Sequence, residues 1–144
     1  AATRACPSGW RLPGRGDWND LMAAAGGGAG EVEEVIGIGG NGNAYIVDSV
    51  RYYGYVGTNL KSASGWKVEG YDVAGTNDFG FSATPGGYRD IDGRFTQSGN
   101  GYWWSAAEAA GGYAYYWYMY QYNENVFEAK HDKDYGLSVR CVRN

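Results

Sequence analysis

Residues that could perform nucleophilic or acid–base catalysis are scarce in this sequence. The 144-residue chain contains one histidine, His131, and two cysteines, Cys6 and Cys141. Any Ser/His/Asp or Cys/His arrangement would have to use His131, which stands in the polar stretch AKHDKD beside a predicted turn. A solvated surface histidine is the simpler interpretation. We therefore expect a protein without catalytic residues.

Residues that could hold a metal ion are also few. A structural zinc site takes four Cys or His ligands, whereas this chain offers only the two cysteines and the one histidine. Acidic pairs such as Asp90 with Asp92, or Asp132 with Asp134, are common turn residues. The loop at 72–78 follows no calcium-loop spacing, although a calcium ion in the loops stays open as an alternative. We predict no metal site and no cofactor.

The two cysteines lie almost at the two ends of the chain and have no competitor for pairing. We predict a disulfide between Cys6 and Cys141. Closing so long a loop would stabilise the fold by roughly 4–5 kcal/mol if the effect is entropic. Two buried, reduced thiols are the alternative interpretation. A disulfide would place the protein in an oxidising compartment.

The most regular pattern lies in the C-terminal third of the chain. Three strand-like runs follow one another there, at Tyr113–Tyr122, Asn125–Lys130 and Leu137–Arg143, with polar turns between them. Consecutive strands joined by short loops form an antiparallel meander. Alternate residues of the last run are apolar, so Cys141 is predicted to point inward, where it could meet Cys6.

A period of two within 113–122 divides the aromatic residues of that run between two faces. Trp117 and Met119 are predicted to point into the core, so Tyr116 and its even-numbered neighbours should form an exposed stripe. Tyrosine suits recognition because it offers a large contact area, a polar tip and few rotamers to lose. Half-buried packing in the sheet is the alternative. The predicted ligand-binding residues are Tyr113, Tyr116, Tyr118, Tyr120, Tyr122, Asn123, Glu124, Phe127, His131 and Asp132.

A helix is predicted at 17–25, because four apolar residues recur there at the spacing of one helical face. Asp17 is the predicted N-cap, and the glycines after the last of these apolar residues should end the helix. The four residues are Trp18, Leu21, Met22 and Ala25.

The sequence from 28 to 101 is less regular. Residues 31–36 are compatible with a short helix or a strand, whereas 44–56 favour a strand because β-branched and aromatic residues dominate. Residues 57–101 are interrupted by turn-forming residues at nearly every third position, which predicts a long loop region with short ordered insertions. Four aromatic residues could pack that region, namely Trp66, Phe79, Phe81 and Tyr88.

Composition excludes several classes of protein. A net charge of −4 without clustered Lys or Arg argues against a nucleic-acid partner. No apolar run reaches the roughly 18 residues that span a bilayer, so direct membrane insertion is not expected. The 25 glycines and 14 tyrosines are typical of a globular chain with many turns and short strands.

Six segments of the sequence resemble one protein family. They are ACPSGWRLP at 5–13, DWNDLMAAAGG at 17–27, LKSASGW at 60–66, GTNDFGFSATPGGYR at 75–89, GYWWSA at 101–106 and GLSVRCVRN at 136–144. In this order they are similar to the Fibrobacter succinogenes major paralogous domain family. Members of that family resemble C-type-lectin-fold modules on secreted and surface proteins of Bacteroidetes.

The resemblance implies an α+β, C-type-lectin-like fold with a small twisted antiparallel sheet, one or two helices, long loops and ends that lie close together. We expect residues 1–144 to form a single domain. Family members usually carry a strand and a helix before ACPSGW, which are expected to be absent or outside this chain. Residues 28–56 are expected to be an insertion. The Glu-Pro-Asn or Gln-Pro-Asp signature of calcium-dependent sugar binding is missing.

The segment from GYWWSA to GLSVRCVRN is also similar in layout to variable regions diversified by retroelements, which display a hypervariable face on this fold. Residues 107–135 are rich in the residue types that such diversification produces. The expected function is ligand binding by an extracellular or surface-displayed module whose partner is a protein or a glycan. A structural domain of a surface fibre or pilus is the alternative. An enzyme related to sulfatase-modifying factors is less favoured, because both cysteines are assigned to the bridge.

Overall fold

The computed structural model describes residues 2–28, 30–38, 44–68, 70–72, 74–97 and 99–144. Two α-helices and eleven strands are described, besides two short 3-10 turns. The helices are α1 (Arg15–Ala24) and α2 (Val56–Leu60). The strands are β1 (Trp10–Arg11), β2 (Glu31–Ile38), β3 (Ala44–Tyr53), β4 (Lys67–Val68), β5 (Tyr71–Asp72), β6 (Tyr88–Arg89), β7 (Phe95–Thr96), β8 (Gly101–Glu108), β9 (Tyr113–Met119), β10 (Val126–Asp132) and β11 (Val142–Arg143).

Five strands form the main sheet, in the order β2-β3-β10-β9-β8, and each neighbouring pair is antiparallel. The expected small antiparallel sheet in an α+β fold is therefore confirmed. Residues 31–36, left open between helix and strand, belong to the edge strand β2. The strand expected at 44–56 ends at Tyr53 as β3. The glycine-rich sequence at 37–43 predicts a loop, but Gly37 and Ile38 form the end of β2, and residues 39–43 lie outside the described residues.

The C-terminal region forms an antiparallel meander, as predicted, but the strands that form it differ from the predicted ones. It consists of β8, β9 and β10, and the run Leu137–Arg143 is a strand only at Val142–Arg143. The chain before that point passes beside β8, where Ser138 exchanges backbone hydrogen bonds of 3.1 and 3.0 Å with Trp104 and Tyr102. It stays irregular because Leu137 and Val139 pack on Trp104 in a second hydrophobic cluster.

Helix α1 confirms the helix predicted at 17–25, two residues earlier at its start. Trp18, Met22 and Ala25 are buried. The prediction that Asp17 is the N-cap is wrong, because Gly14 occupies that position. Asp17 instead lies in the first turn and accepts the backbone N–H of Gly14 at 2.8 Å. The carboxylate thus still serves the free N–H groups of the helix start.

The main core lies between the inner face of the sheet and the two helices. Trp18 of α1 stacks on Trp117 of β9 with ring centres 5.1 Å apart and planes 7° apart. Trp117 and Met119 are fully buried, as predicted. Buried aromatic and aliphatic side chains of this size supply most of the stability of a small domain. The core is completed by Met22, Ala25, Tyr53, Val56, Leu60, Trp66, Ala83, Trp103 and Val126.

The inner face also carries a buried carboxylate, that of Glu128 on β10. The guanidinium of Arg15 donates to both of its oxygens, and Arg51 lies 3.5 Å from one of them. The hydrogen bond with Glu128 raises the pKa of Arg15 above its usual range. A buried charge needs such partners, and this one ties α1 to β3 and β10.

The region 57–101 is a loop region with short ordered insertions, as expected. Trp66 is fully buried, and Phe81 packs against the main core. Phe79 was also expected to pack the loops, but it is an exposed side chain, so that prediction is wrong. Tyr88 is half-buried and contacts other aromatic rings.

The two ends of the chain meet. Strand β1 pairs with β11, so Trp10 lies opposite Arg143 and Arg11 opposite Val142. Cys6 and Cys141 form a disulfide with their Cα atoms 5.8 Å apart. The predicted pairing is confirmed, and Cys6 packs against the second hydrophobic cluster of Leu12, Trp104 and Ala114.

Candidate functional site

A row of aromatic rings crosses four strands on the outer face of the main sheet. Phe127 on β10 lies directly opposite Tyr52 on β3 and Tyr118 on β9, and Tyr118 lies opposite Tyr102 on β8. Side chains directly opposite in an antiparallel pair point to the same face. These four residues define what we call the aromatic row.

The rings of the aromatic row stack on one another. Phe127 and Tyr118 have centres 4.9 Å apart with planes 14° apart, and Tyr118 and Tyr102 have centres 6.0 Å apart with planes 25° apart. Tyr118 therefore has both ring faces covered, and it is 7% exposed. Because the rings cover each other's faces, the row presents ring edges and phenol hydroxyls to the solvent.

Further rings extend the row toward one end of the sheet. Tyr116 lies 5.3 Å from Tyr118 and 6.2 Å from Trp104, measured between ring centres. His131 lies opposite Ala114 on the same outer face, 6.0 Å from Tyr116 and 4.0 Å from Tyr135. Its Nδ1 accepts the backbone N–H of Asp132 at 2.8 Å.

At the other end, two tyrosines follow β9 in a turn. Tyr120 contacts Tyr118 and Phe127, with ring centres 5.2 and 5.3 Å apart. Tyr122 stacks on Tyr120 at 5.2 Å and is 51% exposed. These tyrosines, the aromatic row, Tyr116 and His131 together form the surface that we call the aromatic face.

The turn at 120–125 is held from the side of α2. Lys61 is fully buried, and its Nζ donates to the carbonyl oxygens of Tyr120 at 2.7 Å and Asn123 at 2.6 Å. The same ammonium lies 4.6 Å from the centre of the Trp66 ring. Burial lowers the pKa of Lys61 to about 8.

Two further contacts fix the same turn. The backbone N–H of Gly57 donates to the Glu124 carbonyl at 2.8 Å, and a Cβ atom on Gly57 would lie 2.7 Å from that oxygen. From the other side, Asn100 accepts the backbone N–H of Gln121 at 3.0 Å. Tyr120 and Tyr122 are therefore presented by a turn whose backbone is anchored at several points.

Two phenols of the aromatic face, those of Tyr118 and Tyr120, have raised pKa values. Burial raises the pKa of Tyr118 above its usual range, and the neighbouring tyrosines add to the effect. Burial raises the pKa of Tyr120 as well. Both effects favour the neutral phenol. Ligands that meet this face encounter apolar ring edges and neutral hydroxyls rather than phenolate charge.

The structure brings most of the predicted binding residues together. Tyr116, Tyr118, Tyr120, Tyr122, Phe127 and His131 lie on the aromatic face, and of the four even-numbered tyrosines only Tyr118 is buried. The register assumed from the sequence is therefore correct. Asn123 and Glu124 lie in the adjoining turn and line a cleft at the end of the sheet.

Two predicted binding residues are not on this face. Tyr113 and Asp132 lie opposite each other, next to the opposed pair Ala114 and His131, so alternation places their side chains on the face of the sheet away from His131. Tyr113 is exposed because the strand end extends past the core. They therefore lie off the aromatic face, and their part in ligand binding stays a prediction.

Five aromatic residues on or next to the aromatic face were not predicted from the sequence. Tyr102 and Trp104 alternate within GYWWSA, a signal that a strand assignment there would have exposed. Tyr52, Tyr88 and Tyr135 come from separate segments, and only the long-range pairing of the strands brings them here.

Across the described residues, no group of three or more His, Cys, Asp and Glu side chains is placed to hold a metal ion. No described helix is both long and apolar enough to cross a membrane.

The chain was compared with known proteins. No curated protein and no solved structure matches it. The sequence profile of the Fibrobacter succinogenes major domain matches residues 1–143, which covers the aromatic face, both cysteines and the Lys61 anchor. The chain therefore belongs to the Fibrobacter succinogenes major domain family.

Proposed function

We propose that this protein is a recognition module that binds a protein or glycan partner through the aromatic face and performs no catalysis. The observation that carries the proposal is the continuous set of rings on the outer side of the sheet, from Tyr52 through Tyr118 to Tyr122. Contiguous apolar patches of this kind are uncommon on monomeric proteins unless they meet a partner.

Tyrosine-rich surfaces suit recognition for a physical reason. A phenol ring contributes a large contact area and a hydroxyl that both donates and accepts, and it loses little rotamer entropy. The anchored turn at 120–125 limits the further ordering cost of Tyr120 and Tyr122, and such preorganisation increases affinity. The single histidine has no nucleophile within the interactions described around it, which favours binding over catalysis.

The setting that we propose is extracellular or on the cell surface. The disulfide between Cys6 and Cys141 suits an oxidising compartment. A C-type-lectin-like relationship of the fold and diversification of 107–135 belong to the same proposal. The diversification of 107–135 can be tested in the genome. It predicts a near copy of the codons for 101–144 that differs only at adenines and lies beside a reverse transcriptase gene.

Truncating the exposed ring of Tyr122 or the half-buried ring of Tyr120 should abolish recognition while sparing the fold. Tyr120→Ala and Tyr122→Ala should each weaken partner binding at least tenfold, because aromatic anchors dominate interface energies and cost about 2 kcal/mol when truncated. Binding is measured by surface plasmon resonance with a partner captured on the immobilised parent domain. Tyr118→Ala is unsuitable, since its buried ring supports the fold as well.

The matched control is Phe95→Ala, which removes an aromatic ring that is 81% exposed on the separate hairpin of β6 and β7. It should bind the partner as the parent does. If Tyr120→Ala and Tyr122→Ala also bound normally, the partner would be meeting another surface and the proposal would fail.

A further inference from the structure

A cleft of about 560 Å³ opens at the end of the main sheet, beyond the aromatic row. Its walls include Tyr52 and Tyr55 on one side and the turn residues Asn123, Glu124 and Asn125 on the other. Exposed glycine backbone forms part of the lining. Its lining combines tyrosine rings with amide and carboxylate side chains.

Tyr55 is held in an unusual conformation at the mouth of this cleft. Its φ of +63° lies in the left-handed region, which is strained for a residue with a Cβ atom. The side chain is 78% exposed, so burial does not compensate for the strain. Glycine would adopt the same backbone freely. Strain of this kind, kept without benefit to packing, is characteristic of functional positions.

The two asparagines of the cleft are oriented by backbone hydrogen bonds. Asn123 Oδ1 accepts the N–H of Asn125 at 3.0 Å, and Asn125 Oδ1 accepts the N–H of Tyr55 at 3.3 Å. With each amide oxygen engaged, each Nδ2 group stays available as a donor. Glu124 adds an exposed carboxylate, which only accepts. The cleft thus combines fixed donors, acceptors and one unstacked aromatic ring.

We propose that this cleft binds a neutral, hydroxyl-rich ring, that is, a pyranose unit of a saccharide. The hydroxyls of such a ring would pair with the amides of Asn123 and Asn125 and with the carboxylate of Glu124. Its apolar C–H face would lie on the ring of Tyr55. Anionic ligands are disfavoured, because the described lining contains Glu124 and neither lysine nor arginine. Purely apolar ligands would leave the polar groups without partners.

This site goes beyond the proposed recognition through the aromatic face, although the two adjoin at Tyr52. The cleft and the aromatic face are separable by substitution. Tyr55 belongs to the cleft and not to the aromatic face, whereas Tyr122 stands on the aromatic face and does not line the cleft.

The probes are the methyl glycosides of glucose, galactose, mannose and N-acetylglucosamine, each titrated into the ¹⁵N-labelled protein and followed by NMR. At least one glycoside should shift the resonances of Tyr55, Asn123 and Asn125, with saturation in the millimolar range. Tyr55→Gly should weaken that binding at least tenfold. The same substitution should raise the melting temperature or leave it unchanged, because the strain is relieved.

Tyr122→Ala is the matched control, since it removes an exposed tyrosine from the aromatic face. It should leave the glycoside shifts intact even where partner binding is lost, so failure of this proposal and of the proposed function are distinguishable. The proposal is overturned if no glycoside shifts the cleft resonances. It is equally overturned if Tyr55→Gly binds like the parent, or if that variant melts lower, which would make the ring a packing residue.

Discussion

Replacing both cysteines by serine should lower the free energy of unfolding by about 3–5 kcal/mol. Cys6 and Cys141 are separated by 135 positions, so their bond restricts nearly the whole unfolded chain. The only other pairing of the two ends that the described strands show is the short ladder of β1 and β11. Two residues on each side cannot replace the constraint that the disulfide imposes.

The measurement is urea unfolding of the oxidised parent and of the double serine variant. The parent unfolded under a reducing agent should match the double variant, and the reducing agent should leave the double variant unchanged. This pair of controls separates loss of the bond from any effect of serine itself. A difference below about 1 kcal/mol between the oxidised parent and the variant would show that the bond contributes little.

Loss of the bond should also have a local consequence. Cys6, Leu137 and Val139 pack on the cluster around Trp104, which covers part of the outer face of the sheet. Without the disulfide, hydrogen exchange should accelerate first in β1 and β11, whereas the backbone amides of β9 should keep their protection.

Local patterns predicted the elements whose geometry is decided within a few residues. The apolar spacing of Trp18, Met22 and Ala25 indicated α1, and alternation placed Trp117 and Met119 in the core. Both inferences depend on the period of one element alone. The disulfide followed equally simply, because only one pairing was available.

Features of the fold that depend on which strands pair over long range could not be predicted from local sequence patterns. Tyr52 joins the aromatic row only because β3 pairs with β10, and no local pattern in 44–56 indicates that partner. The run Leu137–Arg143 has strand propensity, yet most of it covers Trp104 instead of joining the meander. Propensity describes which surface a residue suits and not which strand it will meet.

The alternation of side chains along β9 already separates Tyr113 from the tyrosines of the aromatic face. Tyr113 stands at an odd position of β9, which assigns its side chain to the face of Trp117. Two other features of the site are not indicated by any pattern in the sequence. The left-handed backbone of Tyr55 is set by the junction of β3 with α2, and the burial of Lys61 is set by the turn that packs over it.

Lys61→Met should destabilise the protein by about 2–4 kcal/mol at pH 7, because two carbonyl oxygens, those of Tyr120 and Asn123, lose the charged donor that Lys61 supplies. Methionine keeps nearly the same length, so the loss reflects hydrogen bonding rather than an empty volume. The turn at 120–125 should loosen as well. Partner binding through Tyr122 should therefore weaken along with stability.

The pH dependence gives this prediction a second, independent readout. The pKa of Lys61 falls from 10.5 to about 8 on burial, so between these values the unfolded chain binds more protons than the folded one, and the stability of the parent rises with pH. Relative to Lys61→Met, the parent should gain about 1.5 kcal/mol between pH 8 and pH 9.5. Buried tyrosines such as Tyr118 act in the opposite direction only at higher pH and are common to both proteins.

The control for this comparison is Lys133→Met, which removes an exposed lysine paired with Glu108 at 2.8 Å. An exposed pair contributes little, so its stability should follow that of the parent across the whole pH range. A stability difference between the parent and Lys61→Met that stayed constant from pH 8 to pH 9.5 would contradict a buried ammonium with a lowered pKa.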